Sequence, residues 1–153
     1  MSGAQEGGAR APQTVHASVA RVATHDVLIR GRSGSGKSSL LLSLLCGGAA
    51  AVLVADDRVV LAATGGRLIA SVPDAIAGQI EVRGVGVVRW PYVSPVAIDL
   101  VVDLLPAAEC PRLPTAEEAR TVIDGVPLRR IFVAAGAADG AYRVRAALTD
   151  PDT

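Results

Sequence analysis

Val27-Leu28-Ile29-Arg30-Gly31-Arg32-Ser33-Gly34-Ser35-Gly36-Lys37-Ser38-Ser39-Leu40-Leu41-Leu42-Ser43-Leu44-Leu45 joins an apolar run, a glycine-rich loop and a leucine-rich run. The segment 31–38 fits Gly-x-x-x-x-Gly-Lys-[Ser/Thr] without a mismatch, and it lies where the mechanism of that motif requires, between a predicted strand and a predicted helix. Glycines let the backbone turn tightly and aim several N–H groups at one point. The start of the helix adds its own free N–H groups and dipole. The product is a socket for phosphate anions, with Lys37 reaching the β/γ-phosphates and Ser38 offering a hydroxyl to Mg²⁺.

The rest of the chain builds around that socket. Its 153 residues suit one domain over 13–150, with 1–12, rich in Gly and Ala, expected as a disordered tail. Half the residues are apolar and only four are aromatic, so Ala, Val and Leu must fill the interior. Formal net charge is zero, which argues against a generally basic face for nucleic acid. No apolar run reaches the length of a membrane span. Cys46 and Cys110 lie far apart without a metal-binding spacing, and with no secretory signal in view they are expected as reduced thiols in the cytoplasm.

Period-two patterning predicts a first strand over 14–22 and a second over 27–30, with His25 in the turn between them. His16 lies in the first strand, where packing against neighbours is an adequate account. A helix is expected over 37–46 and is stopped by Gly47-Gly48. The run 50–55 is wholly apolar and suits a strand buried on both faces near the phosphate loop. It ends in Asp56-Asp57, a costly pair of carboxylates at the end of a buried strand unless something uses them. An enzyme with this loop needs an acid there, to hold Mg²⁺ or to take a proton from a nucleophile.

Residues 58–72 read as a hairpin turning at Gly65-Gly66. A connector over 73–78 leads to a strand over 79–88, on which Glu81 and Arg83 share a face. A strong strand is expected over 96–105, with Asp99 and Asp103 as solvated interruptions. The proline-rich segment 106–114 is a loop containing Arg112. Thr115-Ala-Glu-Glu118 suits a capped short helix, and 121–123 reads equally well as a strand. A last strand over 126–133 and a terminal helix over 139–148 complete the chain.

Four strings in this order and spacing go further: His16-Ala17; Gly31-x-Ser-Gly-x-Gly-Lys-Ser38; Leu53-Val-Ala-Asp-Asp57-Arg-Val; and Ile80-Glu-Val-Arg-Gly-Val-Gly-Val87. Over 15–135 they resemble the catalytic domain of bacterial HPr kinase/phosphorylase, in the short alphaproteobacterial-type form. The resemblance implies an α/β P-loop domain with a mixed sheet, like that of phosphoenolpyruvate carboxykinase, and an ATP- and Mg²⁺-dependent kinase acting on a serine of the phosphocarrier HPr. It implies that Gly31, Arg32, Ser33, Gly34, Ser35, Gly36, Lys37 and Ser38 bind the nucleotide, and that Ser38 and Glu81 hold the metal. Asp57 accepts the serine proton with support from Asp56, while His16 and Arg112 join the active site. The family's phosphorylase activity and its hexamers are implied in the same way. Ser39 replaces the acidic residue usual after the loop serine, and Ala17 replaces a common glycine. A P-loop hydrolase or small-molecule kinase, or a nucleotide-binding module without turnover, shares the loop and remains an alternative.

Overall fold

The computed structural model describes residues 11–47 and 50–150. Most of the expected tail, and Gly48, lie outside the described residues. In chain order the strands and helices are β1 (Gln13–Val15), β2 (Ser18–Val22), β3 (His25–Arg30), α1 (Lys37–Cys46), β4 (Ala51–Ala55), β5 (Val59–Thr64), β6 (Arg67–Ser71) and β7 (Gln79–Val82). There follow β8 (Gly86–Arg89), β9 (Val96–Ala97), β10 (Leu100–Leu105), β11 (Arg120–Ile123), β12 (Val126–Ala134) and α2 (Gly140–Thr149).

The main sheet runs β11-β12-β10-β3-β2-β4. Its centre, β3, β10 and β12, is parallel, and β2, β4 and β11 pair antiparallel at the flanks, so the sheet is mixed as expected. A smaller antiparallel sheet, β1-β5-β6-β9, lies over one face, and β7 and β8 form a separate hairpin. Strand β3 shows why the apolar run Val27-Leu-Ile is needed: Leu28 faces a core shared with Leu61, Leu68 and Ala70 of the small sheet, while Val27 and Ile29 face the helices. On that second side Leu40, Leu41 and Leu44 of α1 pack with Val102 of β10 and Val144 of α2. Full burial of each such side chain contributes about 1.5–3 kcal/mol, which pins the phosphate loop between two buried elements. Among the described residues no helix is long and apolar enough to cross a membrane.

Several expectations are corrected, and two of the corrections share one cause. The strand expected over 14–22 breaks at His16-Ala17: Val15 pairs with Val59 in the small sheet, whereas Val19 pairs with Ala55 in the large one. The paired segment of the same chain crosses at the same place, since β4 ends and β5 begins around Asp56-Asp57-Arg58. The two crossings are tied by the Ala17 N–H, which donates to the Asp57 carbonyl at 3.2 Å. The strand expected over 96–105 likewise divides into β9 of the small sheet and β10 of the large one. Period-two patterning records which residues face inward but not which sheet they join.

His25 opens β3 and is not in a turn; the turn is Ala23-Thr24, with Ala23 at φ 54°. Strand β4 is an edge strand separated from β3 by β2, and its first two residues are half-buried. The strand expected over 79–88 is the β7–β8 hairpin, with Arg83 in its turn and Gly84 at φ 81°. At Thr115 both alternatives hold in part. The Thr115 N–H donates to Glu118 Oε1 at 3.0 Å and the Glu118 N–H donates to Thr115 Oγ1 at 3.1 Å, but the box closes only a turn before β11.

Asp99 and Asp103 are not idle solvated positions. Asp99 Oδ2 accepts the Asp26 N–H at 2.8 Å. Asp26 itself holds Arg21, whose pKa is raised by the hydrogen bond and charge of that carboxylate. Asp103 takes a bidentate pair from Arg30 at 2.8 and 2.9 Å and a third bond from Arg130 at 3.4 Å. A carboxylate this enclosed persists because two guanidinium groups compensate its lost hydration.

Candidate active site

The phosphate loop leaves β3 at Arg30 and enters α1 at Lys37. Gly34 and Gly36 take φ of 79° and 97°, values that a side chain would strain. At Gly31 the constraint is space: a Cβ there would run into Ser35 Oγ. Lys37 is buried, and its Nζ donates to the loop's own carbonyls at Gly31 (2.7 Å) and Arg32 (3.0 Å). An ammonium has three donors, so one remains for an anion in the loop.

Asp56 is the hub of the site. It is buried, and its Oδ1 accepts the Ser38 hydroxyl at 2.7 Å and the fully buried Ser18 hydroxyl at 3.3 Å. Its Oδ2 faces the Glu81 N–H at 3.4 Å, which brings β7 to the end of β4. One carboxylate therefore joins the first turn of α1, strand β2 and the β7–β8 hairpin. Asp57 is different. It is exposed, it sits in the left-handed region at φ 68°, and its side chain lies beside His16, whose Nδ1 is 3.7 Å from Oδ1. A residue held in that region stores about 1 kcal/mol or more of backbone strain. The seam between the two sheets explains both carboxylates: where ladder pairing stops, side chains at the ends of strands are free to converge.

Gly34, Gly36, Lys37, Ser38, Asp56, Asp57 and Glu81 all line one cleft of about 710 Å³. His16 stands at its rim through Asp57. Arg32, Ser33 and Ser35 turn to the opposite side of the loop. Arg112 is exposed in the segment 106–114 and does not line the cleft. Arg58, Gln79 and Arg83 line the cleft without having been assigned a role from sequence. Ser18 was likewise missed, and its one signal was a hydroxyl inside an apolar strand two residues after His16. Among the described residues no group of three or more His, Cys, Asp or Glu side chains is arranged to hold a metal by itself. The oxygens of Ser38, Asp56 and Glu81 are nevertheless hard donors suited to Mg²⁺, which ordinarily keeps waters and substrate phosphates in its shell and takes only one or two carboxylates.

The family model "HPr Serine kinase C-terminal domain" matches residues 9–137. The HPr kinase/phosphorylase of Clostridium tetani is 42% identical over 82 residues, 53% of this chain and 26% of that protein. That of Bordetella pertussis is 34% identical over 136 residues, 80% of this chain and 43% of that protein. The chain thus spans less than half the length of these curated relatives. The solved Hpr(Ser) kinase/phosphatase from Coxiella burnetii superposes with a TM-score of 0.76 at 24% identity, covering 90% of this chain and 95% of that one.

Proposed function

The chain belongs to the HPr serine kinase C-terminal domain family, and on that premise we propose that it transfers the γ-phosphoryl group of ATP to a serine of HPr, with Mg²⁺. The observation that carries the proposal is the joining of the phosphate loop to the acidic pair in one cleft, through the bond from Ser38 to Asp56. Phosphoryl transfer asks chiefly for positioning and charge neutralisation. The loop N–H groups and Lys37 hold the β- and γ-phosphates. Ser38, Asp56 and Glu81 are the residues that would hold Mg²⁺, which when bound neutralises phosphate charge.

The acceptor serine must lose its proton as its oxygen bonds to the γ-phosphorus and the bond from that phosphorus to the ADP oxygen breaks. Asp57 is the base in this reading, because it is the carboxylate left uncommitted and open to a protein substrate, whereas Asp56 already accepts three donors. His16 stands beside it, with Nδ1 3.7 Å from Oδ1. In the reverse direction, inorganic phosphate would attack phosphoserine to give pyrophosphate, and Asp57 would return the proton. Both substrates place the reaction in the cytoplasm, and by the same resemblance the active form is a hexamer, which light scattering would read.

Incubation of the chain with ATP, Mg²⁺ and HPr is the test. Phosphoserine on HPr is the expected product. ATP hydrolysis without transfer would reassign the chain as a P-loop hydrolase, and nucleotide binding with neither outcome would make it a binding module.

A further inference from the structure

Asp57 stands at the centre of a tight turn. The Arg58 N–H donates to the Asp56 carbonyl at 2.8 Å across it, and Asp57 takes φ 68°. This is the γ-turn of positive φ, the rare and strained form; its inverse, with negative φ, is the common one. Such a backbone persists only where its surroundings over-determine it. Ala17 and Ser18 supply that constraint. The Ala17 N–H donates to the Asp57 carbonyl at 3.2 Å. The Asp57 N–H donates to Ser18 Oγ at 3.5 Å, and Ser18 Oγ donates to Asp56 Oδ1 at 3.3 Å. A hydroxyl has one proton to give and lone pairs to accept with, so it makes both contacts at once.

We infer that Ser18 is a positioning residue for phosphoryl transfer, its hydroxyl fixing the direction in which the Asp57 carboxylate leaves the turn. The inference rests on the reading of Asp57 as the base and adds what aims it. Burial argues for it. Ser18 is fully buried, with Ala17 and Val19 on either side of it in the apolar core. A hydroxyl in such a place costs stability unless it is hydrogen-bonded, and this one turns its donor and an acceptor to the two acids.

The neighbourhood of the carboxylate points the same way. The His16 and Asp57 side chains are 77% and 66% exposed and stand 3.7 Å apart, a pairing too loose to aim a base. The direction is therefore set at the backbone, where a change in φ would swing Cβ and the carboxylate with it. Ser18 also relates the base to the phosphate loop, because Asp56 Oδ1 accepts the Ser38 hydroxyl at 2.7 Å as well. Both Ser18 contacts are longer than the usual hydrogen bond, which limits the effect of losing them to a modest factor.

The test is a double-mutant cycle of Ser18→Ala and Asp57→Asn, reading the single-turnover rate of transfer from ATP to HPr by the full chain. Ser18→Ala is expected to slow transfer about five- to tenfold with ATP affinity within about twofold of wild type, because misaiming a base costs rate and not binding. In the Asp57→Asn background the same change is expected to slow the residual transfer by less than about twofold, since the group it positions no longer takes the proton. A merely structural role would slow both backgrounds alike. Equal slowing in the two backgrounds, a rate unchanged by Ser18→Ala, or a loss of ATP affinity as large as the loss of rate overturns the inference. Asp57→Asn alone within about threefold of wild type overturns instead the reading of Asp57 as the base, and the inference with it.

Discussion

Ser38 Oγ donates to Asp56 Oδ1 at 2.7 Å, so the phosphate loop and the acidic pair are joined directly. Asp56 also accepts from Ser18 and from the Glu81 N–H. Asp56→Ala would leave these donors unsatisfied, and a loss of about 1–3 kcal/mol in urea unfolding is expected. Asp56→Asn keeps an acceptor oxygen and should recover part of that stability while still losing Mg²⁺-dependent transfer. Full activity in Asp56→Asn would remove the charge of this residue from the mechanism.

Asp57 supplies a cleaner separation of shape from charge. Asparagine tolerates the left-handed backbone as aspartate does. Asp57→Asn is therefore expected to keep the fold and ATP affinity while transfer to serine falls by about 10²–10⁴-fold, the range for a lost general base. Turnover within about threefold of wild type would shift the role of base to another group.

The φ of 68° at Asp57 has a consequence for stability. Asp57→Gly relieves strain at an exposed position, so unfolding free energy should hold or rise by up to about 1 kcal/mol while transfer is abolished. A loss above about 1 kcal/mol would show that the side chain stabilises the seam by a contact stronger than the His16 pair.

Lys37 is tied to the carbonyls of Gly31 and Arg32. Lys37→Met keeps most of the buried stem but removes the charge. It should weaken ATP and tripolyphosphate alike and lower transfer by about 10²-fold or more, as expected when a positioned charge on the phosphates is lost. Unchanged affinity for both ligands would mean that the backbone N–H groups alone hold the phosphates.

Behind the loop, Asp103 binds Arg30 and Arg130, whose side chains are 34% and 24% exposed against its own 14%. Asp103→Ala would leave two partly buried guanidinium groups without their shared partner. Full burial would make this cost 3–5 kcal/mol; partial exposure lowers the expectation to about 2 kcal/mol in urea unfolding. A cost below about 0.5 kcal/mol would show that solvent replaces the carboxylate. Nucleotide affinity should fall with it only if Arg30 positions Gly31.

The sequence by itself determined the phosphate loop, the helix after it and the Gly65-Gly66 hairpin, because each depends on residues adjacent in the chain, and it determined the family through the order and spacing of four short strings. Gly34 and Gly36 are there for local dihedral reasons, and the leucines of α1 for a local period. Even Asp56-Asp57 could be singled out from its place after an apolar run. Only the tertiary structure decided what those groups do to one another. The runs over 14–22 and 96–105 have one pattern each but divide between two sheets, because pairing with β5 or β4, and with β6 or β3, is a choice between distant partners. That division creates the seam at which His16 meets Asp57. It also separates two adjacent aspartates, burying one against Ser18 and Ser38 and leaving the other exposed beside His16. Neighbours in sequence carry the same chemical formula; burial and hydrogen bonding, which are set by strands far away in the chain, give them different chemistry.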